Sequence, residues 1–345
     1  EDKEAFDLIV KNYPIFYTAE KNTKMCWQSD TFTIFDGIIE KNSLKTVLKE
    51  HYSPRCLDSI KPKRLELYAL CPAKFFMQYV LNLPFIEKAP VINLMSSFIQ
   101  KKIVTEILAK IFDLKNINYD RDLLKKLAEQ TFENQVVETE ELIWEIEQER
   151  LLENIEYYLE TKIKNNGTIL PAYFKFNYGD KKEKLPCLEL KNSDLIHFCG
   201  FFDQLNINEQ KKLCEGVHYK IEKRRFLPKD DCFYSGKQIS LAIDLLALEK
   251  IFPDHKILRS VYKYINKVGH LTETSFYYEK LQENLDTLQK ICDSVVNGIE
   301  NGFFFFLPKN DKCSYCPFLE ICGIYKDKLY DLKKKDKRIK FYNEL

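Results

Sequence analysis

The 345 residues are 45% hydrophobic and 14% aromatic, which provides the apolar mass for one large or two medium folded domains and excludes disorder as the overall state. The 53 basic and 52 acidic residues leave a net charge of +1, so any contact with nucleic acid would depend on local patches and not on a global field. Eleven cysteines in a chain of this length, without a signal-peptide pattern or an apolar run long enough to cross a bilayer, indicate a reduced intracellular protein and not a secreted disulfide scaffold.

Residues 1–60 are predicted to be a connecting segment. They mix short apolar stretches with turn residues and show no long period. Since the first residue is Glu1 and not Met, we expect this segment to belong to a longer polypeptide. It carries no pattern of catalytic or metal-binding residues, so the chemistry is expected after residue 60.

From residue 61 the spacing of apolar residues becomes helical. The stretch "KPKRLELYALCPAKFFMQYVLNL" predicts two short helices that meet at Cys71–Pro72, because proline has no N–H with which to continue the first helix. Three further helices are predicted at about 92–113, 121–136 and 140–165.

The period then changes from helical to alternating. Strands separated by turn residues are predicted at about 169–178, 185–191, 196–207 and 213–224. The later elements are predicted to be a helix, a strand and a long helix, at about 235–251, 257–265 and 274–300. This mixed order predicts an α/β core with a helical insertion.

The C-terminal residues 327–345 are predicted to be a basic tail. Lysine and arginine dominate between 326 and 340, against three aspartates. The simplest interpretation is a solvated helix, and contact with phosphate groups is the functional alternative.

Three cysteines lie close together in "CSYCPFLEIC", at Cys313, Cys316 and Cys322. A two-residue gap lets two thiolates converge on one metal centre, but three ligands are one short of the usual four. Several other cysteines lie in apolar strands and are explained as small buried hydrophobic residues. Cys71 differs from them, because it precedes a proline at a helix junction. Zinc, an iron-sulfur cluster and free buried thiols all stay open at this point.

Two consecutive predicted strands carry an acid and a lysine. Asp203 and Lys220 are separated by a turn short enough to make the strands antiparallel neighbours. In metal-dependent phosphodiester hydrolysis, carboxylates hold Mg²⁺ while a lysine steadies the developing charge. A surface ion pair is the simpler interpretation of two such residues taken alone.

The order of these motifs resembles the RecB-type branch of the PD-(D/E)XK nucleases, and within it the nuclease domains of the AddB type. The matching features are "LELYALCPAKFFMQYVLNL", the helices after it, "GFFD", "HYK", a helix that opens with Gln238, and "GFFFFLPKNDKCSYCPFLEIC". The resemblance covers about residues 60–325. It implies a restriction-endonuclease-like core in residues 61–326, in which helices flank a mixed central sheet.

The resemblance also implies cofactors and partners. In that family, one cysteine before the core and three after it bind a 4Fe-4S cluster that staples the C-terminus to the domain, which would assign Cys71, Cys313, Cys316 and Cys322. An active site of this kind would use Mg²⁺ or Mn²⁺. The implied setting is recombinational repair of DNA ends in the bacterial cytoplasm, on single-stranded DNA and beside an AddA-like helicase-nuclease subunit.

The catalytic positions depart from the family's pattern. Ser97 and Lys101 stand where the family has a helical Gly-x-x-x-His, so the metal-ligating histidine is missing. The aspartate of the family's GxxD is present as Asp203, but the arginine that commonly follows it is Gln204.

Two later motifs depart as well. The family's Asp-Tyr-Lys reads His218-Tyr219-Lys220 here, so an imidazole replaces the second carboxylate. Gln238 fits the family's Gln-x-x-x-Tyr helix, whereas the tyrosine position is Ala242.

A shifted metal site is the hypothesis that would keep the domain active. Side chains alternate along a strand, so His218, Lys220 and Glu222 are expected to share one face. Asp203, His218 and Glu222 would then hold the metal while Lys220 steadies the phosphate. Mg²⁺ prefers oxygen ligands, so an imidazole should weaken its binding or favour Mn²⁺.

Three functions follow from these patterns. The favoured one is a nuclease-fold domain that binds single-stranded DNA with a degenerate catalytic site. The first alternative is an active Mg²⁺- or Mn²⁺-dependent exonuclease of single-stranded DNA. The second alternative is a zinc-bound structural protein unrelated to nucleic acid.

Overall fold

The computed structural model describes residues 28–84, 95–113, 121–133, 141–164, 170–179, 187–189, 195–221, 232–266, 273–308, 313–323 and 326–339. In these residues, helices flank a five-stranded mixed sheet, which confirms the predicted α/β class. No helix among them is long and apolar enough to cross a membrane.

The described part of the N-terminal segment packs into the main apolar core. Its elements are a 3-10 turn, helix α1 and a π-helical turn, at Ile34–Asp36, Asn42–Val47 and Leu48–Tyr52. Isolated β-bridges join Ile38 to Phe303 and Ile60 to Phe198. Residues of the predicted connecting segment therefore share the core of the rest of the chain.

Two short helices meet at Cys71, as the sequence predicts. Helix α2 covers Pro62–Leu70, and α3 covers Pro72–Phe75 and continues as a π-helical turn over Phe76–Val80. Cys71 itself is extended, with φ of −165°, because the proline after it cannot donate to the preceding turn.

Three helices form the insertion. They are α4, α5 and α6, at Ser97–Asp113, Arg121–Glu133 and Glu141–Lys164. Their apolar faces build a second core, in which Ile103, Ile107 and Ile155 meet Val217 and Tyr219 of the large sheet. The predicted insertion is confirmed, and the described helices lie within the predicted ranges.

The strands form one large and one small sheet. The strands of the large sheet are β1, β4, β5, β6 and β7, in that spatial order, at Leu170–Tyr178, Gly200–Asn208, Leu213–Lys220, Lys256–Tyr264 and Glu273–Tyr277. All neighbours pair antiparallel except β5 and β6, which are parallel. The small sheet pairs β2 with β3, at Cys187–Glu189 and Leu195–His197. The single strand predicted at 196–207 is thus two, because the chain between β3 and β4 bonds to Ile60.

Helix α7 (Ser240–Ile251) connects β5 to the parallel strand β6. The prediction that a helix opens with Gln238 was wrong by two residues. Turns occupy 232–237, and Glu66 accepts hydrogen bonds from the N–H groups of Ile239 and Ser240 at 2.8 and 2.7 Å, which fixes the start of the helix at Ser240.

The long helix predicted at 274–300 is three elements. Residues Glu273–Tyr277 form the edge strand β7, and the helices α8 and α9 follow at Tyr278–Glu283 and Leu285–Glu300. The run "ETSFY" is rich in residues that favour strands, and it pairs with β6 along its length. Pairing with β6 makes these five residues a strand, although the residues that follow them are helical.

In the described residues after 313, helices α10 and α11 occupy Leu319–Cys322 and Lys326–Lys333, and a 3-10 turn covers Lys337–Ile339. The predicted helix forms, but it is not solvated throughout, because the Lys333 side chain is fully buried and paired with Asp36. Burial of an ammonium group requires such a partner.

Candidate functional site

Asp203 lies on β4 next to an irregular position of β1. Its neighbours Phe202 and Gln204 pair with Phe176 and Phe174, and Lys175 between those two has φ of +52°, in the left-handed region that non-glycine residues rarely adopt. Asp203 is 3% exposed, and its Oδ2 accepts a hydrogen bond of 2.8 Å from the backbone N–H of Tyr219 on β5. The predicted antiparallel pairing of the two strands is confirmed.

Lys101 of helix α4 is the closest charged neighbour of Asp203. Its Nζ lies 2.7 Å from Asp203 Oδ2 and 4.8 Å from the centroid of the Phe201 ring. The sequence identified Lys101 only as the residue in place of a histidine and gave it no role. The structure thus places an ammonium group against the one carboxylate that the sequence assigns to the metal.

His218 lies between two carboxylates. Its Nδ1 is 3.8 Å from Asp203 Oδ2, and its Nε2 is 2.7 Å from Oδ2 of Asp244. Asp244 Oδ1 accepts a hydrogen bond of 2.7 Å from the hydroxyl of Tyr178, and burial together with the negative charge of Asp244 raises the pKa of Tyr178. The imidazole is therefore held by a buried carboxylate that is itself held by a phenol.

Asp244 was missed by the sequence analysis. It is 3% exposed on α7, whose described residues are otherwise almost all apolar. An acid in the middle of the apolar run "SLAIDLLALEKI" was the signal, since a buried carboxylate needs a polar partner.

Lys220 follows His218 on the same face of β5. Its Nζ lies 4.5 Å from the centroid of the Tyr262 ring on β6. Burial raises the pKa of Tyr262, and the nearby charges of Glu66 and Asp244 raise it further. Lys220 is therefore placed at the end of β5 against a phenol that stays protonated.

The remaining predicted catalytic residues are not brought to this site by the described structure. Glu222 lies outside the described residues. Gln238 lies in the turn before α7, where its backbone N–H donates to the carbonyl of Phe233. Gln204, which replaces the family's arginine, is fully buried and bonds to the hydroxyl of Tyr219 and to Asn206.

The arrangement around Asp203 does not fit a divalent cation. Mg²⁺ takes oxygen ligands in octahedral geometry. Here the same carboxylate oxygen faces an ammonium group and a backbone N–H, and the neighbouring imidazole is bonded to Asp244. In the part of the chain that the structure describes, no three His, Cys, Asp or Glu side chains are placed to hold one metal ion.

The four assigned cysteines line a single cavity of about 30 Å³. Cys71 comes from the junction of α2 and α3, and the three others come from the loop before and within α10. The cavity wall also contains lysine and apolar side chains, among them Lys74, Lys326, Met77, Phe306 and Phe318. Four thiols are a donor set that iron-sulfur clusters and zinc both use, but in the described residues the four do not form a group placed to hold one metal ion.

Burial controls the protonation of these thiols. It raises the pKa of Cys71, and it raises the pKa of Cys322 to about 12, because a thiolate in this cavity loses its water. Negative charge on Cys313 or Cys316 would raise both pKa values further. Deprotonation of the thiols would therefore require a positively charged group among them.

The family model described as "PD-(D/E)XK nuclease superfamily" matches residues 59–323, which is well over half of the chain. The chain is also similar to an adenine DNA glycosylase of Buchnera aphidicola subsp. Schizaphis graminum, with 32% identity over 116 residues. That match covers 30% of this chain and 32% of the glycosylase, so the chain spans about a third of the length of this relative.

Proposed function

The chain belongs to the PD-(D/E)XK nuclease superfamily, and we propose that its domain binds DNA, preferentially as a single strand, with a site that no longer supports metal-dependent cleavage. Members of this superfamily generally use Mg²⁺ or Mn²⁺. DNA as the ligand is also supported by the similarity to a protein named as a DNA glycosylase.

The contact between Lys101 and Asp203 carries this proposal. The two groups are 2.7 Å apart, and the carboxylate is almost wholly buried. Opposite unit charges at about 4 Å attract by about 4 kcal/mol at an effective dielectric constant of about 20. A divalent cation at this carboxylate oxygen would have to compete with the ammonium group and with the hydrogen bond from Tyr219, so both contacts oppose its binding there.

The position of His218 limits how this residue could bind a metal ion. Its Nε2 is 2.7 Å from Asp244, so this nitrogen is engaged by a carboxylate of α7. A metal ion would have to bind the other ring nitrogen, Nδ1, which lies 3.8 Å from Asp203 Oδ2. The residue that replaces the family's second carboxylate is thus held by hydrogen bonds that run from Tyr178 through Asp244 to His218.

An active exonuclease is the second candidate function. It is favoured by the placement of Asp203 beside His218 on neighbouring strands, with Lys220 two residues further along β5. This candidate requires cleavage that depends on both Asp203 and Lys220. Glu222 would supply the additional carboxylate.

DNA binding without metal tests the proposal. We expect a fluorescently labelled single-stranded oligonucleotide to bind with the same Kd in EDTA and in Mn²⁺, because no ion is needed between protein and phosphate. The matched control is Asp203→Ala, which should bind equally well in both buffers. Binding that appears only with Mn²⁺, and only in the protein that keeps Asp203, would contradict the proposal.

The cysteine cavity is proposed to hold a 4Fe-4S cluster, with Cys71, Cys313, Cys316 and Cys322 as ligands. The support is the shared cavity together with the split arrangement of the four positions along the chain. Such a cluster would cross-link the junction of α2 and α3 to the C-terminal cysteine segment. Zinc is the alternative metal for this site.

Removal of one ligand tests the cluster. Cys71→Ala should release most of the iron and sulfide and lower the stability of the anaerobically prepared protein, because metal binding is coupled to folding. Cys56→Ala is the matched control, since Cys56 is an exposed thiol elsewhere on the surface. Equal iron content in both variants would exclude Cys71, and stoichiometric zinc without iron would establish the alternative.

The biological setting is a further part of the proposal. The order of the motifs supports an AddB-like role in recombinational repair of DNA ends in the bacterial cytoplasm, beside an AddA-like helicase-nuclease subunit. A purified subunit of that type should form a complex with this chain in size-exclusion chromatography. Separate elution at micromolar concentrations of both proteins would contradict the pairing.

A further inference from the structure

Two phenylalanines near Lys101 expose their side chains, one on the sheet and one on α4. Phe201 is the second residue of β4 and is 42% exposed, whereas its neighbour Phe202 is fully buried. Phe98 is 77% exposed and lies in the first turn of α4. Residues three apart on a helix are neighbours, so Phe98 and Lys101 lie on the same side of α4.

Lys101 contacts the Phe201 ring. Its Nζ is 4.8 Å from the centroid of that ring, at a distance typical of a cation–π contact, and 2.7 Å from Asp203. An exposed ring of the sheet therefore touches the Asp203 pair, and a second exposed ring lies on the side of α4 that carries Lys101.

The exposed rings of Phe98 and Phe201 suit contact with unpaired nucleobases. An exposed phenylalanine is ordinary by itself. Two exposed rings on neighbouring elements offer flat apolar surfaces on which the unpaired bases of a single strand can stack. In a duplex the base faces are stacked on one another and are not accessible to such rings.

We propose that Phe98 and Phe201 form a stacking surface for the bases of single-stranded DNA. This inference rests on the proposed DNA binding and deepens it, since it names the groups that distinguish a single strand from a duplex. The rings contribute affinity through the bases, so their contribution should not depend on the base sequence and should vanish when the bases are removed.

Fluorescence anisotropy with a labelled oligothymidine tests the surface. Phe201→Ala and Phe98→Ala are each expected to weaken binding about 5- to 150-fold, the range found when an aromatic residue that stacks on a base is removed. Phe201→Trp should keep most of the affinity. The matched control is Tyr277→Ala, whose side chain is 51% exposed on the edge strand β7.

A strand of abasic sites with the same length separates stacking from charge. The wild-type protein should bind it more weakly than oligothymidine, and the two alanine variants should bind it as the wild type does. Equal losses on the abasic strand, or unchanged affinity for oligothymidine in both variants, would overturn the stacking surface while leaving DNA binding intact. Failure of the wild-type protein to bind oligothymidine would refute the proposed function as well.

Folding of the variants is checked by thermal unfolding. Phe98 is mostly exposed, so its replacement should leave Tm unchanged within a few degrees. Phe201→Leu serves if Phe201→Ala is unstable, because leucine keeps apolar contacts but has no ring. Retention of full oligothymidine affinity by Phe201→Leu would count against stacking.

Discussion

The carboxylate of Asp203 is buried within the sheet, and its Oδ2 lies 2.7 Å from the Lys101 ammonium group. This contact joins residues about a hundred positions apart, on a helix of the insertion and on a strand of the core. It places a fixed positive charge at the carboxylate that the sequence assigns to metal binding. At the scale of single residues, Lys101 therefore decides which cations Asp203 can accept.

Replacement of Lys101 by histidine should restore metal binding in part. Lys101→His removes the ammonium group and supplies an imidazole at the same position, so Mn²⁺ affinity should rise by at least about tenfold, the scale on which single residues near a metal act. Electron paramagnetic resonance of free Mn²⁺ during a titration measures this affinity.

Lys102→His is the matched control, because Lys102 is the next residue of α4 and is exposed. It should bind Mn²⁺ as weakly as the wild type does. The interpretation of Lys101 would be wrong if the wild type and Lys101→His bound Mn²⁺ equally tightly.

The sequence predicted only part of this site. Asp203 and Lys220 were identified because a short turn makes their strands neighbours, which is a local property of the chain, and His218 was identified through the family's motif. The contacts of Lys101 with Asp203 and of Asp244 with His218 depend on how helices pack against the sheet. No local period encodes that packing, and Asp244 was missed although an acid within an apolar helix is unusual.

At the scale of elements, α7 positions Asp244 and is itself anchored by α2. Glu66 of α2 accepts hydrogen bonds from the backbone N–H groups of Ile239 and Ser240 and from the Ser240 hydroxyl at 2.7–2.8 Å. A carboxylate is a favourable partner for the N–H groups at a helix start. The start of α7 is thus capped by a residue from a distant helix.

Loss of this cap should destabilise the protein. Glu66→Ala leaves three donors without their acceptor, so the free energy of unfolding should fall by about 1–3 kcal/mol in urea denaturation. Glu66→Gln is the matched control, since its amide oxygen keeps an acceptor at the same place. Equal stabilities of Glu66→Ala and Glu66→Gln at pH 5 would contradict the cap.

The pH dependence of stability gives a separate test of Glu66. Burial raises its pKa, so the folded state holds the proton more tightly than the unfolded chain does. The resulting stabilisation is fully present below the ordinary pKa of 4.5 and is lost as the pH rises through the folded value. Glu66→Gln should therefore gain stability relative to the wild type between pH 4 and pH 7, and parallel profiles would contradict this.

The elements themselves were predicted unevenly. The helix junction at Cys71–Pro72 and the insertion follow from proline chemistry and helical periodicity. The edge strand β7 was missed, because its five residues adjoin a long amphipathic helix and only pairing with β6 identifies them as a strand. Local sequence patterns do not predict short elements that are stabilised by a pairing partner elsewhere in the chain.

At the scale of the whole molecule, the two ends of the described chain are tied together. The fully buried Lys333 pairs with Asp36, and the N–H of Phe32 donates to Asp336 at 2.8 Å. The ring of Phe32 packs against Phe306, which also lines the cysteine cavity. The basic tail therefore takes part in the core beside the cavity, which its composition alone did not indicate.

Breaking this pair should be costly. Lys333→Met leaves the buried Asp36 carboxylate without its counter-charge, and the free energy of unfolding should fall by about 3–5 kcal/mol. Lys334→Met is the matched control, because Lys334 is about half exposed and pairs only with Asp331 at the surface, so a change within about 0.5 kcal/mol is expected.

Urea denaturation of both variants measures these effects. The double variant Asp36→Val with Lys333→Met should recover much of the loss, because a buried apolar pair replaces a buried ion pair. Equal stabilities of Lys333→Met and Lys334→Met would contradict the role of the tail in the core.

Cleavage of a labelled single strand is the most direct test of the account. The anaerobically prepared protein is incubated with the strand in Mg²⁺ or Mn²⁺, beside Asp203→Ala and Lys220→Ala, and the strand length is read on a denaturing gel. The account predicts that the wild-type protein binds the strand and leaves it at full length, as both variants do. Shortening by the wild type that disappears in both variants would contradict it and establish an active exonuclease.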